Sequence, residues 1–343
     1  MATITRYVNP DSADGGDGTT NATTGANRAY ASLADWEGHE QQNLDTGNSI
    51  AECICETNGT ADTTAVTIDG WTTSATDYIA IKTSAGHRHG GKWNTGKYSL
   101  TPTIANETRA VTVSEEFVRI DGLQVNAICG ASIVWIVGIG SSTLAACEFR
   151  ISNCIVKITK GGYTITYASG IEFINGNASS VAHFWNNIVY DFITGTAGNQ
   201  RGIRFEAGTN GSVLTAYNNT VVNCGTGFSN GAGSGVTFTA KNCGAASCTT
   251  GFSANVTQTT CSATAPTFVD DANDDFHLAS GDTAWKNAGT SDPDSGLFSD
   301  DIDGQTRSGT WDIGADEYVA AAGGLSILVR RAYSQAVNRA ATY

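Results

Sequence analysis

The sequence repeats a short motif in which an Asn-Asn or Asn-Cys pair precedes β-branched residues. The pairs begin at Asn153, Asn186, Asn218 and Asn242, and Gly122 occupies the same place earlier, giving steps of 31, 33, 32 and 24 residues. A second marker, Gly-Ile or Gly-Phe, begins at positions 170, 202, 227 and 251. Two markers with similar periods between about 20 and 50 residues indicate stacked repeats.

Between the markers the sequence has the alternation of β-strands. Segments such as "GIEFI", "GIRFE" and "VTFTA" alternate apolar and polar residues and are rich in Val, Ile, Thr and Phe. Each repeat is therefore predicted to form one coil of an all-β solenoid, a right-handed parallel β-helix with coils about 4.8 Å apart. Ile171, Ile203 and Phe228, with Phe252, are expected to stack inside. Glu172 and Arg204 are expected to form an outward, weakly stabilising pair.

The recurring pairs are predicted to form a structural ladder at a sharp turn. A buried Asn amide is costly unless it is hydrogen-bonded, and stacked Asn side chains can bond one another and the turn backbone. Asn also tolerates the left-handed conformation, and Cys can take the same place as a small buried group. A role of the Asn residues as sugar ligands is the alternative. The predicted ladder comprises Asn153, Cys154, Asn186, Asn187, Asn218, Asn219, Asn242 and Cys243.

The composition excludes two classes of partner. The chain has 19 basic and 33 acidic residues and a net charge of −14, whereas nucleic acids and anionic membranes bind basic surfaces. We therefore expect no nucleic-acid and no membrane partner. The nine cysteines lie in β-type runs and are predicted to be reduced, buried groups. Only 15% of residues are charged, which is typical of extracellular and viral β-proteins with Ser-, Thr- and Asn-rich surfaces.

The ends of a solenoid need covering. Residues 27–40, "NRAYASLADWEGHE", predict a short helix with Ser32 as N-cap and with Leu33 and Trp36 facing the first coil.

Two polar clusters raise the question of metal binding. Asp11, Asp14 and Asp17 alternate in a Gly-rich turn, a pattern that can bind calcium, but the EF-hand Glu is missing and a solvated turn is favoured. His87 and His89 form a His-x-His pair without a third ligand, and an exposed loop is favoured. We predict no cofactor and no metal, with calcium as the alternative.

Near the end of the chain four short motifs follow one another: "PTF" at 266–268, "DFHL" at 275–278, "DIDGQTR" at 301–307 and "DIGADE" at 312–317. They resemble the closing region of bacterial and phage right-handed β-helix repeat proteins, and the opening "RYVNPDSADGGDGT" resembles the start of such proteins. The resemblance covers about residues 5–318. It implies the fold but not the function, because this architecture carries lyases, hydrolases, adhesins and viral spikes.

The predicted organisation has four parts: an N-terminal cap at 1–48, β-helix coils at 49–262, closing coils and a C-terminal cap at 263–318, and a linker with a basic amphipathic tail at 319–343. The tail has three arginines and no acid and is predicted to dock or trimerise, a frayed terminus being the alternative. The predicted docking residues are Leu325, Ile327, Leu328, Arg330, Arg331, Tyr333 and Arg339.

The central coils contain the candidates for catalysis: Glu172, Asp191, Arg201, Arg204 and Glu206. In the resembling lyases clustered Asp residues bind calcium and an Arg or Lys is the base, and hydrolases need paired carboxylates. No further acid recurs beside these residues at the coil period. We therefore assign no catalytic residue and expect a protein without enzymatic activity.

The chain begins without a recognisable secretory signal. Together with the predicted thiols and basic tail, this favours a non-enzymatic phage structural protein, made in the host cytoplasm and located on the virion surface. It would be a capsid decoration (cement) protein or a tail spike or fibre component, a homotrimer bound to other virion proteins. The alternative is a polysaccharide lyase or glycoside hydrolase acting on cell-surface glycans, and a glycan is retained as a candidate partner.

Overall fold

The computed structural model describes residues 1–142, 146–175, 180–193, 199–207, 211–231 and 235–320. The predicted docking residues of the tail lie outside these ranges. Two short helices, α1 (Leu33–Glu40) and α2 (Leu44–Gly47), lie near the N-terminus, and 3-10 turns form at Ala85–His87 and Asp271–Asn273. None of the helices in the described ranges is long and apolar enough to cross a membrane.

Strands make up the rest of the regular structure. The first nine strands are β1 (Ala2–Val8), β2 (Ser49–Cys55), β3 (Val66–Ile68), β4 (Ile79–Thr83), β5 (Ser99–Leu100), β6 (Thr103–Ile104), β7 (Thr108–Val113), β8 (Phe117–Asp121) and β9 (Gln124–Cys129). The central strands are β10 (Ile133–Ser141), β11 (Glu148–Ser152), β12 (Ile155–Thr159), β13 (Ile165–Asn175), β14 (Val181–Trp185), β15 (Ile188–Tyr190), β16 (Gln200–Ala207), β17 (Val213–Tyr217) and β18 (Thr220–Val222). The last strands are β19 (Thr226–Asn230), β20 (Thr237–Lys241), β21 (Gly244–Ala246), β22 (Thr250–Phe252), β23 (Val256–Thr259), β24 (Phe268–Asp270) and β25 (Asp275–Leu278).

The strands form three parallel sheets that run the length of a solenoid. The first sheet has the order β1-β2-β4-β8-β11-β14-β17-β20-β23, the second β22-β19-β16-β13-β10-β7-β3, and the third β21-β18-β15-β12-β9-β5. Each central coil contributes one strand to each sheet, and strands of neighbouring coils pair in parallel, as β11 does with β8 and β14. β6 also pairs with β9, and β24 and β25 form a separate antiparallel pair. The chain is a right-handed parallel β-helix, which confirms the predicted fold class.

The interior is filled by side chains that stack from coil to coil. Ile171 pairs in register with Ile203, Ile203 with Phe228 and Phe228 with Phe252. The rings of Phe228 and Phe252 are parallel, with centroids 4.8 Å apart. This stack confirms the predicted internal column and supplies the apolar burial that holds successive coils together.

A residue in the left-handed conformation marks the same turn in successive coils. Gly122, Asn153, Asn186, Asn218 and Asn242 have φ angles of 78°, 53°, 52°, 48° and 50°. Glycine adopts the left-handed conformation freely and asparagine tolerates it. This explains why glycine and asparagine are the residue types found at this place in the sequence.

The N-terminal helix folds as predicted. Ser32 Oγ accepts a hydrogen bond from the Asp35 N–H at 2.9 Å, and Leu33 and Trp36 are fully buried. The Trp36 ring stacks on Trp71 with centroids 5.5 Å apart, so α1 covers apolar side chains at this end of the β-helix.

The closing segment, residues 263–318, lies along the side of the β-helix. The sequence predicts a cap over the last coil, but the segment covers the outer face of the third sheet instead. Strands such as β15 and β18 are buried at every position because their outward side chains pack against this segment. The apolar cluster between them contains Ile155, Ile188, Tyr190, Val222, Ala246, Phe276, Leu278, Trp285, Ile302, Ile313 and Ala315.

All nine cysteines lie within the described residues and carry free thiols. Seven are buried and two, Cys248 and Cys261, are partly buried. Burial raises the pKa of the Cys154 thiol to about 12, as is expected for a thiol that acts as a small apolar group.

Candidate functional site

A groove lies between the outer face of the first sheet and the closing segment. Its volume is about 530 Å³, within the range of small-ligand sites. We call it the arginine groove. It is lined by Arg88, Arg119, Ile120, Asp121, Arg150, Ser152, Asn153, Trp185, Leu297, Phe298, Ser299 and Asp300.

Strand alternation places the polar residues in the groove. In β8, Val118 and Ile120 are buried while Arg119 and Asp121 are partly exposed, and Arg119 pairs in register with Arg150 of β11. Successive side chains of a strand point to opposite faces. The inward residues therefore fill the core, and the outward residues of neighbouring coils form a row on the sheet surface.

Asp121 organises one end of the groove. Its carboxylate accepts hydrogen bonds from Ser152 Oγ at 2.8 Å and Asn153 Nδ2 at 2.5 Å, and it lies 3.6 Å from Arg88 Nη1. Arg88 Nε and Nη2 are buried and have no hydrogen-bond partner among the described residues. Arg88 therefore uses only Nη1 toward Asp121, and its other two nitrogens lie beneath the surface.

Arg119 has no carboxylate partner in the described parts of the chain. Its guanidinium lies over the Tyr78 ring, 3.5 Å from the centroid. Burial lowers the pKa of Arg119, and the neighbouring Arg150 lowers it further. Arg150 pairs with Glu148. Arg119 thus contacts a ring face and no carboxylate of the described residues directly, while the charge of Glu148 acts on it from a distance.

Aromatic residues line the groove beside the arginines. Trp185 of β14 stacks on Phe298 with centroids 6.1 Å apart and an angle of 19° between the rings, and Phe298 contacts Trp311. Leu297 and Phe298 belong to the closing segment, so the groove exists only because that segment runs along the flank.

The predicted ladder residues form two columns with different partners. In the outer column, Asn186 Nδ2 donates to Asn153 Oδ1 and Asn242 Nδ2 donates to Asn218 Oδ1, both at 3.2 Å. The same amides bind the closing segment: Asn186 donates to the Asp300 carbonyl at 2.8 Å. Asn218 donates to the Asp312 carbonyl and Asn242 to the Thr290 carbonyl, at 2.9 and 2.8 Å.

In the inner column, Asn187 Nδ2 donates to Asn219 Oδ1 at 2.9 Å, and Asn187 Oδ1 accepts from the Cys154 N–H at 2.9 Å. Cys243 lies beside Asn219 at the end of this column. The amides of Asn187 and Asn219 are fully buried and are used within the coils. Of the eight residues, only Asn153 reaches the arginine groove.

The central candidates for catalysis form a second cluster, on the second sheet. Glu172 lies 3.0 Å from Arg109 Nη2 and 2.7 Å from Arg204 Nη1, and its side chain is 2% exposed. The predicted pair of Glu172 and Arg204 is present, and its carboxylate is buried.

The other predicted candidates for catalysis have different surroundings. Arg204 also contacts Glu206, and burial and Arg204 lower the pKa of Arg201. Asp191 takes no part in this cluster. It lies in a left-handed turn after the third sheet, where its carboxylate accepts from Asn223 Nδ2 at 2.8 Å.

The predicted metal candidates near the N-terminus bind protein groups. Asp11 accepts hydrogen bonds from Thr60 Oγ1 and the Asn58 N–H, both at 2.6 Å, and Asp17 accepts from Thr19. Asp14 is exposed.

The histidine pair does not form an exposed loop, contrary to the sequence interpretation. His89 is 3% exposed, its Nε2 lies 2.8 Å from the Asn153 carbonyl, and burial lowers its pKa to about 4. His87 Nδ1 accepts from the Thr57 N–H at 3.2 Å, so the two imidazoles have different partners.

Comparison with known proteins adds little to this description. No protein-family model matches the sequence, and no curated protein is similar to it. The crystal structure of pectate lyase Pel9A is similar over 93% of this chain and 97% of that chain, with 13% identity and a TM-score of 0.32. The architecture is therefore established by the strand pairing itself.

Arg88, Arg119, Arg150 and Trp185 were not predicted from the sequence as site residues. A signal was present, because Arg119 and Arg150 precede the turn residues Gly122 and Asn153 by the same three positions, and Trp185 directly precedes the turn residue Asn186. Arg88 is brought in by the loop before β5 and Leu297 and Phe298 by the closing segment, whose positions the repeat does not reveal.

Proposed function

We propose that the arginine groove binds an acidic saccharide. The observation that carries this proposal is Arg119, a guanidinium without a carboxylate partner in the described chain, beside Arg88 and Arg150 on a protein of net charge −14. A guanidinium binds carboxylate and sulfate groups through two parallel hydrogen bonds.

The aromatic side chains of the groove suit the apolar faces of sugar rings. Trp185 and Phe298 present aromatic surface at the groove, and such rings combine a large apolar contact with little loss of conformational freedom. A ligand with a ring skeleton and an anionic substituent can contact the aromatic rings and the arginines at once.

We further propose that the chain is a non-enzymatic protein of a phage virion exterior, assembled as a homotrimer with other virion proteins. The surface poor in charge and the nine free thiols support synthesis in a reducing compartment and use outside the cell. Val134, Tyr163 and Tyr167, on or beside neighbouring strands of the second sheet, are 51, 41 and 41% exposed. These side chains support self-association through that face.

The saccharide proposal is tested with a matched pair of ligands. Calorimetric titration of the full chain with a uronate-containing polysaccharide is compared with the same polysaccharide after reduction of its carboxyl groups. We expect binding of the acidic form, with at least about tenfold weaker binding of the reduced form, because one charge-assisted hydrogen bond contributes about 1.5 kcal/mol or more. Equal binding of the two forms, or binding of neither across a panel of capsular uronates, would refute the proposal.

The virion proposal is tested independently. Immunogold labelling of phage particles from the source lysate and the mass of the purified chain by light scattering are measured together. Label on the capsid or tail and a mass of three chains are expected. Unlabelled particles would contradict the virion setting, and a monomer would contradict the trimer, without bearing on the saccharide.

A second candidate function is a polysaccharide lyase that uses Arg119 as base. The lowered pKa of Arg119 favours it, because neutral Arg119 would remove the C5 proton next to the uronate carboxyl group while Arg150 holds that carboxylate. The electrons of the C5–H bond form the C4–C5 double bond, the glycosidic C4–O bond breaks, and the leaving oxygen takes the proton back from Arg119. Release of unsaturated product from the same polysaccharide, with and without calcium, and its loss in Arg119→Gln would establish this function in place of simple binding.

A further inference from the structure

Outside the arginine groove, the closing segment gathers one imidazole and two carboxylates on the flank of the molecule. His277 belongs to β25, Asp303 to the turn that follows Asp301, and Asp316 to the end of the segment. Ligand atoms of His277, Asp303 and Asp316 all lie within 4.8 Å of one another. Asp316 is 5% exposed, and its Oδ2 accepts the Leu278 N–H at 2.7 Å.

The His277 ring has the orientation of a metal-binding histidine. Its Nδ1 lies 2.5 Å from Asp275 Oδ1, and its Nε2 lies 2.9 Å from Asp303 Oδ2. Lys92 Nζ, 3.2 Å from Asp275 Oδ2, fixes that carboxylate. A carboxylate at Nδ1 sets the tautomer in which Nε2 can bind a metal, and Nε2 here contacts Asp303.

Asp303 supplies a second, independent observation. Its Oδ1 is buried and receives no hydrogen bond within the described ranges, an arrangement that is costly for a carboxylate oxygen. The turn is held by Asp301 Oδ1, which accepts the N–H groups of Asp303 and Gln305 at 2.9 and 2.8 Å. A cation in contact with Oδ1 would satisfy it.

The backbone of Gly91 packs directly against these atoms, with no side chain between. Gly91 faces the site with φ of 73°, and a Cβ there would lie 2.1 Å from Asp303 Oδ1 and 2.3 Å from His277 Nε2. Any other residue at this position would therefore occupy the space beside the two ligand atoms.

We propose that His277, Asp303 and Asp316 bind one divalent transition-metal ion, Zn²⁺ or Mn²⁺. One imidazole nitrogen with two carboxylate oxygens suits these ions, whereas Ca²⁺ takes about six to eight oxygen ligands. Ligand atoms about 2.1 Å from one ion lie about 3.4 Å apart in a tetrahedral site, so atoms of these side chains that are 4.8 Å apart need to close by about 1.4 Å. The ion replaces the proton shared by His277 and Asp303 and joins β25, the turn and the end of the closing segment.

The test uses the full chain after removal of metals with EDTA. Calorimetric titration with ZnCl₂ and with MnCl₂ gives the stoichiometry, and thermal unfolding is followed with and without each ion. We expect one ion per chain, tighter binding of Zn²⁺ than of Mn²⁺, a higher unfolding temperature with metal, and no response to CaCl₂.

Two variants decide whether these residues are the ligands. Asp303→Asn keeps the shape of the side chain and should weaken binding at least about 100-fold, since loss of a supporting residue alone costs about 10- to 100-fold. Asp271→Asn makes the same change at an exposed aspartate of the same segment and should bind as the unchanged chain does. Binding of less than about 0.2 ion per chain, preference for Ca²⁺, or equal binding by both variants would overturn the proposal. Circular dichroism of each variant at the titration temperature verifies the fold.

Discussion

Arginine clusters lie on two of the sheets, and they differ in whether a buried carboxylate neutralises the guanidinium charges. On the second sheet Glu172 is buried between Arg109 and Arg204, at 3.0 and 2.7 Å. On the first sheet Arg119 lies over a tyrosine ring and borders a groove of about 530 Å³. The residue types and the strand positions are alike, but a central buried carboxylate is present on one sheet only.

The difference shows how a repeat fold separates stability from binding. In the Glu172 cluster the bonds join strands β7, β13 and β16, so they connect successive coils. In the groove the coils already pack through their inward residues, and the outward arginines remain available. A charge that is neutralised within the chain contributes to the fold, whereas one left beside a cavity can contribute to recognition.

The largest effect is expected from Glu172→Gln. Two guanidinium groups would lose their buried counter-charge, so the free energy of unfolding should fall by about 3 kcal/mol. Urea unfolding measures this change. Glu206→Gln, at a side chain 42% exposed that also contacts Arg204, should cost less than about 1 kcal/mol. Equal losses in the two variants would show that the buried position of Glu172 has no special importance.

A buried carboxylate without an arginine gives the opposite expectation. Glu115 is 4% exposed and accepts the Trp71 N–H at 2.6 Å, and burial raises its pKa to about 7. Because the pKa in the fold lies above the unfolded value, the contribution of this group is complete below about pH 4.5 and is lost as the pH rises to about 7.

Glu115→Gln should therefore stabilise the fold by about 1 to 2 kcal/mol at pH 8 and have little effect at pH 4. Urea unfolding at the two pH values measures the difference. Glu116→Gln, at the neighbouring and more exposed residue, removes one of the charges that raise the pKa of Glu115 and should reproduce only a small part of this pH dependence. A stabilisation independent of pH would contradict the assignment to Glu115.

A smaller effect is expected from the aromatic wall of the groove. Trp185→Ala should weaken acidic-saccharide binding about fivefold to tenfold, since one aromatic contact contributes about 1 kcal/mol. Trp185→Phe retains a ring and should lose less. Unchanged affinity in Trp185→Ala would place the ligand away from this wall.

The sequence was sufficient for the β-helix and for the internal column, because both depend on neighbouring residues and a repeat period. Gly122, Asn153, Asn186, Asn218 and Asn242 mark a conformation that few residue types adopt, so the turn could be recognised from residue type. Ser32 and Trp36 identified the N-terminal helix in the same local way.

The position of the closing segment along the side of the β-helix was not predicted, because its contacts join residues far apart in the chain. Asn186 meets Asp300, and Arg307 donates to Asn186 Oδ1 at 3.0 Å, pairings that no period reveals. A signal existed in "IVY" and "TVV", since continuously apolar strands are typical of sheets covered on both faces. The arginine groove depends on the closing segment, so it was not predicted from the sequence either.

The comparison of the two clusters is tested most directly by one pair of variants, Arg119→Gln and Arg201→Gln. Each removes a guanidinium that has no ion-pair partner among the described residues, one in the groove and one beside Glu172. Calorimetric titration with the acidic polysaccharide should show affinity reduced about 10- to 100-fold in Arg119→Gln and unchanged in Arg201→Gln. Unchanged affinity in Arg119→Gln, with the loss in Arg201→Gln, would contradict the account and place the ligand on the second sheet.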